Sequence, residues 1–322
     1  MTDLKCEASN GTGSPSAKGP KPGKRVNPPS SVTAFYEAVR LDNKLLALGN
    51  GYPHFHLGYY SNERMSHKDA ALQMSELVCR NAQIQGDHLV LDLGCGYGAT
   101  SIDVAKNFGA QTLGIANSFF FVRSARKFAR KAAVENQARF VAADMHCIPF
   151  GDDHFDRVIA IESMSHSTDL ETLYGELSRI LAPGGLVVVA DFFRSSSKGD
   201  ASEEDALATW ERGWCMSLAA VDDHRLVAEK AGLELTVSQD ISAQVAPSVV
   251  RLSRLANVFF PVQRLAHYCG FRSDQQYLTA QATRSMMELW AQMLQFHLVV
   301  FAKRNRGVMV SHRRPSPYPP SD

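Results

Sequence analysis

What this sequence is short of sets its first limits. None of its six cysteines (Cys6, Cys79, Cys95, Cys147, Cys215 and Cys269) forms a C-x-x-C pair or joins a metal-type cluster. Reduced thiols are therefore expected, as in a cytosolic enzyme and unlike a disulfide-stapled secreted domain. No apolar run approaches the ~20 residues that span a bilayer, so no integral membrane segment is expected. The first residues lack the apolar core of a signal peptide, and a cytoplasmic location is the expectation. Neither sign of charge is in excess. A formal net charge of +1 gives no global pull toward nucleic acid or anionic membrane. No internal repeat is visible. Large apolar side chains are nearly missing from residues 1–30 and from the tail "RRPSPYPPSD", so both ends are expected to be disordered. Within the first of these, "GPKPGKR" has neither the spacing nor the preceding strand of a phosphate loop.

What is present is a large apolar fraction, 45% of 322 residues, enough for one large domain or two small ones. Helical periodicity runs over Val32–Leu48 and His67–Gln83. Then strands and helices alternate. Strands are expected at His88–Leu93, Gln111–Ile115, Ala138–Asp144, Asp156–Ile161, Leu186–Phe192, Leu233–Asp240 and Phe296–Arg304. Helices are expected at Ala99–Phe108, Ser118–Val134 and Leu170–Leu181, the last ended by Pro183-Gly184-Gly185. Further helices are expected at Glu203–Ala219, Asp222–Ala231, Ser248–Tyr268 (broken at Pro261) and Ala280–Met293. Near-continuous apolar strands separated by helices indicate a mostly parallel sheet covered on both faces. The fold class is α/β, a doubly wound seven-stranded sheet with a helical N-terminal lid and a C-terminal helical insertion. The expected division is a tail at 1–30, a lid at 31–85, a cofactor-binding core at 86–193, the remaining strands with a helical substrate cap at 194–304, and a tail at 305–322.

The strongest local signal is "LVLDLGCGYGAT". A buried strand ends at Asp92, then Gly94, Gly96 and Gly98 lead into a helix. Glycines there permit positive φ and let a ligand lie against the backbone, at the end of the sheet where such folds bind ligands. A bare strand–helix turn is the bland alternative. A dinucleotide is a second one, but Asp92 opposes a diphosphate. The next strand ends in Gly114, Ile115, Ala116, Asn117 and Ser118 rather than in a ribose-binding acid. A cationic ligand suits Asp92 better.

With "FVAADMHCIPFGDDHFD" and "ELSRILAPGGLVVVADF" following in order, the chain resembles the class I S-adenosylmethionine-dependent methyltransferases. The resemblance covers Val90–Phe192 well and the flanks loosely. It implies a Rossmann-like methyltransferase fold with S-adenosylmethionine as cofactor. It also implies a cofactor site made of Asp92, Gly94, Cys95, Gly96, Asn117, Ser118, Asp144, Met145 and Glu162. Asp144 would take the adenine amino group, with Met145 beside the ring. The ribose acid is replaced by Asn117. That replacement is similar to the subgroup acting on sterols, tocopherols and prenyl diphosphates.

Methyl transfer from a sulfonium needs alignment and exclusion of water. An alkene acceptor passes through a carbocation, which favours an apolar aromatic pocket with one base. "IAIESMSHSTD" ends the fourth strand, and in a doubly wound sheet that end faces the ligand crevice. Glu162 is thus the candidate base, His166 its neighbour and Tyr59 a third catalytic candidate. The competing reading has Glu162 binding backbone amides, with Ser167 or Thr168 capping the next helix. Tyr59, Tyr60, Phe193 and Trp214 are the substrate-binding candidates. Of Phe119, Phe120 and Phe121, at least two are expected in the core. His54 and His56 could share a metal, but lid packing or hydrogen bonding is the expectation, and no metal is assigned. Arg251, Arg254, Arg264 and Arg272 could grip a diphosphate, and only such a substrate would bring Mg2+; a solvated face is the stronger reading.

The expected activity is methylation of a small hydrophobic molecule, first of all at carbon of an isoprenoid or sterol-like alkene. Nitrogen or oxygen methylation of an amine or tocopherol-like phenol is the alternative. A noncatalytic cofactor-binding protein is the third. No nucleic-acid partner is expected, since basic tracts and an "NPPY"-type motif are missing. A homo-oligomer is compatible with all of these.

Overall fold

The computed structural model describes residues 32–39, 54–62, 64–197, 199–290 and 292–304. Both expected disordered tails, and most of the helix expected at Val32–Leu48, lie outside the described residues.

Alternation sorts the chain into layers. The elements in order are α1 (Val32–Ala38), α2 (His67–Asn81), β1 (Leu89–Leu93), α3 (Ala99–Phe108), β2 (Gln111–Ala116), α4 (Phe119–Lys131), β3 (Ala138–Ala142), β4 (Phe155–Ile161) and one 3-10 turn, Met164–His166. Then follow α5 (Leu170–Ile180), β5 (Leu181–Arg194), α6 (Ala201–Trp214), α7 (Val221–Lys230), β6 (Leu233–Asp240), α8 (Ser242–Tyr268), α9 (Asp274–Trp290) and β7 (Leu294–Lys303). The seven strands form one sheet in the order β3-β2-β1-β4-β5-β7-β6. β1 to β5 are parallel, and β7 runs antiparallel between β5 and β6.

Successive strand residues point to opposite faces, and both faces are apolar here. Leu91, Leu93, Val158, Ala160, Val187 and Val189 pack on Leu173, Tyr174 and Leu177 of α5. Val90, Ile159, Val188 and Ala190 pack on Met74 and Val78 of α2, Trp210 of α6 and Met286 of α9. Each fully buried Leu, Ile or Val contributes about 1.5–3 kcal/mol. The chain winds from β1 outward to β3, then returns to β4 on β1's other side. That reversal opens a crevice beyond the carboxyl ends of β1 and β4.

Several boundaries differ from expectation. Ser167 and Thr168 do not cap α5; Asp169 does, accepting from the Thr172 N–H at 3.0 Å. Pro183, Gly184 and Gly185 lie within β5, whose ladder with β4 runs from Leu186 after an irregular start. α6 stops at Trp214 because Cys215 takes a left-handed conformation. α8 is not broken at Pro261 but continues through it and through Pro247. A proline removes one ladder bond, and side contacts to α9 hold the helix regardless. Ser253 Oγ donates to the Thr283 carbonyl at 3.1 Å, and the Arg284 guanidinium sits 4.0 Å from the Phe260 ring centre. Of the three phenylalanines starting α4, only Phe121 is buried, while Phe119 is 81% exposed.

Candidate active site

Beyond Leu93 the chain must turn into α3 without filling the crevice. Gly94 and Gly96 do this with φ of 75° and 52°. A Cβ on Gly94 would lie 2.4 Å from the Ser163 Cβ, so a side chain there would push apart the ends of β1 and β4. A Cβ on Gly96 would meet nothing within 4 Å, because Gly96 faces the cavity. Ser163 Oγ donates to the Leu93 carbonyl at 2.6 Å and ties the two strand ends together.

The end of β4 is shaped by Asp191 on β5. Its Oδ2 accepts the N–H groups of Ser163, Met164 and Ser165 at 3.0, 2.8 and 3.1 Å, and its Oδ1 accepts that of Phe192 at 2.8 Å. One buried carboxylate thus wraps the chain into a single 3-10 turn. Burial pushes the Asp191 carboxyl up to about 6, with the N–H donors opposing. Glu162 enters this turn in a left-handed conformation, φ 50°, uncommon for a residue with a Cβ. Its Oε1 accepts the Leu57 N–H at 2.6 Å. Burial pushes the Glu162 carboxyl up to about 8; the Leu57 N–H opposes this and the Asp191 charge adds to it.

At the other end of the turn, His166 Nδ1 lies 2.8 Å from the Cys215 carbonyl, which can only accept. Nδ1 therefore carries the proton. Burial lowers the imidazole's proton affinity, and the neutral ring leaves Nε2 to accept the Tyr36 hydroxyl at 2.7 Å. Tyr36 comes from α1, wedged between Phe35 and Phe121. The same logic orders His54 and His56. His56 Nδ1 donates to the Leu57 carbonyl at 2.9 Å, so its Nε2, 3.0 Å from His54 Nδ1, accepts. His54 Nε2 is 3.0 Å from Asp103 Oδ2. Burial pushes His56 down to about 3. These histidines are engaged with each other, the backbone and Asp103. No group of three or more metal-ligating side chains occurs among the described residues.

These residues surround a cavity of about 710 Å³. Asp92, Gly94, Cys95, Gly96, Asn117, Asp144, Met145, Glu162, His166 and Trp214 all line it. Asp92 is 4% exposed and accepts from Ser101 Oγ at 2.6 Å; burial pushes its carboxyl up to about 6. Asp144 stands on the rim, where Oδ1 accepts the His146 N–H at 2.9 Å. A narrower cavity of about 70 Å³ adjoins the first, with Phe55, His56, Glu162, Trp214 and Met216 on both walls. Phe192, Trp210, Leu252 and Met286 make it aromatic and apolar.

Four sequence candidates are not brought to the larger cavity. Ser118 spends its hydroxyl on capping α4, accepting from Phe120 N at 3.3 Å, and on Glu37. Tyr59 packs in the apolar layer under α2, with its N–H on the Ala70 carbonyl at 2.9 Å. Tyr60 Oη pairs with His67 Nδ1 at 3.2 Å. Phe193 is 1% exposed between His224 and His297, because strand alternation turns it to the α5 face. Its neighbour Phe192 takes the opposite face and reaches the narrow cavity. Sequence reading missed Asp191, although an acid inside "VVVADFF" is the signal of a buried carboxylate. It also missed Tyr36, whose partner lies 130 residues away and leaves no local signal.

The residues fit S-adenosylmethionine. Two carboxyl groups, Asp92 and Glu162, face one cavity and favour a cationic ligand. The open Gly96 backbone admits a molecule against the turn, and Asn117 and Asp144 offer polar groups at the rim. Tyr97 and Trp214 line the cavity with their rings, while Tyr97 Oη and Trp214 Nε1 are buried without a hydrogen-bond partner among the described residues.

Comparison with known proteins agrees. A methyltransferase domain model matches residues 90–185. The chain is 32% identical over 180 residues to the methyltransferase GfsG of Streptomyces halstedii, covering 56% of this chain and 65% of that one. It is 31% identical over 180 residues to 24-methylenesterol C-methyltransferase 2 of Oryza sativa subsp. japonica, covering 55% and 50%. The chain thus spans half to two thirds of the length of these relatives. Among solved structures, the [4+2]-cyclase SpnF superposes with a TM-score of 0.72 at 22% identity, over 87% of this chain and 100% of that chain. Geranyl diphosphate C-methyltransferase of Streptomyces coelicolor A3(2) does so with a TM-score of 0.64 at 17% identity, over 86% and 100%. The strand order, the glycine turn and these likenesses converge: residues 90–185 carry a methyltransferase domain, and the chain is similar to the class I S-adenosylmethionine-dependent methyltransferases.

Proposed function

We propose that this protein methylates a small hydrophobic molecule, at carbon of an isoprenoid or sterol-like alkene, with Glu162 as proton acceptor. The observation that carries this reading is the position of Glu162 at the junction of an acid-floored cavity and an aromatic, apolar one. The bound cofactor would supply an electrophilic methyl group on a sulfonium. Everything else falls to the chain. Asp92, the Gly94–Gly98 turn and Asp144 would hold the cofactor in the larger cavity. Trp214 and Met216, where the larger cavity meets the narrow one, would face the acceptor, and Phe192, Trp210 and Leu252 behind them would exclude water. When the alkene takes a methyl group it becomes a cation, and aromatic faces stabilise cations. A proton must then leave carbon. Glu162 is placed to take it, since a carboxylate whose proton affinity lies near neutrality is matched to that task. The Leu57 N–H fixes one oxygen and leaves the other for the acceptor.

One observation favours a second reading, oxygen methylation. His166 Nε2 is a lone-pair acceptor in the cavity wall, now taking the Tyr36 proton, and could take the proton of a phenol instead. Isotope-labelled cofactor incubated with prenyl, sterol, phenol and amine acceptors decides by product mass. Label on carbon of a prenyl or sterol acceptor is the expected result. Label on phenol oxygen alone would replace the first reading with the second.

A further inference from the structure

The net charge of +1 conceals a segment of another character. Residues 241–273 contain Arg251, Arg254, Arg264 and Arg272 and no Asp or Glu. Within them α8 presents a stripe at helical spacing: Arg254, Val258, Val262, Leu265 and Tyr268. Val258, Val262, Leu265 and Tyr268 are 71%, 66%, 63% and 89% exposed, with Phe259 and Phe271 beside them at 54% and 85%. Six of the ten exposed large hydrophobic side chains among the described residues lie in this short stretch. Arg254 and Arg264 are themselves exposed, and Arg272 is half-buried. The nearest acid along the chain is Asp274, whose Oδ1 sits 3.6 Å from His267 Nε2 at the far end.

We infer that the carboxyl-terminal half of α8 and the turn after it form a docking surface for an anionic lipid bilayer, lying in the interface rather than crossing it. An apolar stripe with arginines and no acids suits such an interface: the side chains enter the acyl boundary while guanidinium groups meet lipid phosphates. No described helix is long and apolar enough to cross a membrane. A second copy of this chain is a poorer occupant. A two-fold contact pairs the same patch with itself, which would gather arginines with no acid to meet them. The same helix supplies Ser248, Arg251 and Leu252 to the narrow cavity. Docking would therefore bring that cavity close to an apolar phase, although the docking itself does not depend on the acceptor.

The test is flotation of the full chain, without cofactor or acceptor, on vesicles of phosphatidylcholine alone or mixed with phosphatidylserine. The wild type is expected to float with the mixed vesicles and much less with phosphatidylcholine. Two variants separate the two contributions. Val262→Asp with Leu265→Asp removes the apolar anchor, and Arg254→Glu with Arg264→Glu reverses the charge. Both sites are exposed, so thermal unfolding should be unchanged. Each pair of changes is expected to weaken binding by roughly tenfold or more, on the scale of about 1 kcal/mol per surface arginine. Equal flotation of wild type and both variants would overturn the inference. So would flotation of none, or a concentration-dependent dimer that the same substitutions dissolve.

Discussion

Glu162→Gln is expected to leave S-adenosylhomocysteine affinity near the wild-type value, to remove the rise of S-adenosylmethionine affinity with pH, and to lower methyl-transfer turnover at saturating cofactor by ~10²-fold or more, the usual scale for a positioned base. The substitution is close to isosteric. The Gln amide oxygen still accepts the Leu57 N–H, which now sits 2.6 Å from Oε1. The left-handed turn at residue 162 is held by Asp191 rather than by the Glu162 side chain, so it should persist. What is lost is the ability to accept a proton. Binding of S-adenosylhomocysteine, a neutral thioether, checks that the site is intact, and single-turnover rates report the chemistry. Turnover near normal would remove Glu162 from the mechanism. A loss of turnover matched by an equal loss of homocysteine-ligand binding would assign it a structural role instead.

Asp191→Ala should do damage of another kind. Four backbone N–H groups would lose their shared acceptor inside the protein. An orphaned buried donor costs about 1–3 kcal/mol, so stability should fall by at least about 3 kcal/mol. The denaturant midpoint should drop with little change in slope. Cofactor binding should weaken as well, because the turn carries both Glu162 and His166. Asp191→Asn keeps one acceptor oxygen and should lose less. An Asp191→Ala midpoint equal to the wild type would mean that the turn is held by something else.

The parallel core was legible because its strands are apolar on both faces and its glycine turn has few alternative uses. The crevice followed from the strand order, and with it Asp92, Glu162 and the rim residues Asn117 and Asp144. The acceptor side was less legible, for identifiable reasons. Phe192 and Phe193 are equivalent as letters, and only the strand register decides which of them faces the narrow cavity. Tyr59 and Tyr60 look like pocket residues, but their backbone N–H groups bind Ala70 and Gln244, which fixes the segment against α2 and α8. His166 depends on Tyr36 and on the Cys215 carbonyl, contacts across 130 and 49 residues that no local pattern encodes. The arginines of α8 split: Arg251 joins the narrow cavity, while Arg254 and Arg264 stay at the surface, and Arg272 beyond the helix is half-buried.

The central claim is that a cavity floored by carboxyl groups holds a sulfonium cofactor, and calorimetry tests it most directly. Protonated, Glu162 is neutral and offers a cation little; ionised, it attracts one. With burial setting its carboxyl at about 8 and that of Asp92 at about 6, the ionised forms grow as pH rises from 6 to 8. S-adenosylmethionine affinity should therefore rise over that window, by up to about tenfold per pH unit where binding requires the Glu162 carboxylate. Binding should release protons, seen as a dependence of the heat on the buffer's ionisation enthalpy. S-adenosylhomocysteine shares the amine and carboxylate but lacks the positive sulfur, so its affinity should change less. Steeper binding of S-adenosylmethionine with rising pH is the predicted result; no binding of either molecule at millimolar concentration, or identical pH profiles for the two, would contradict it.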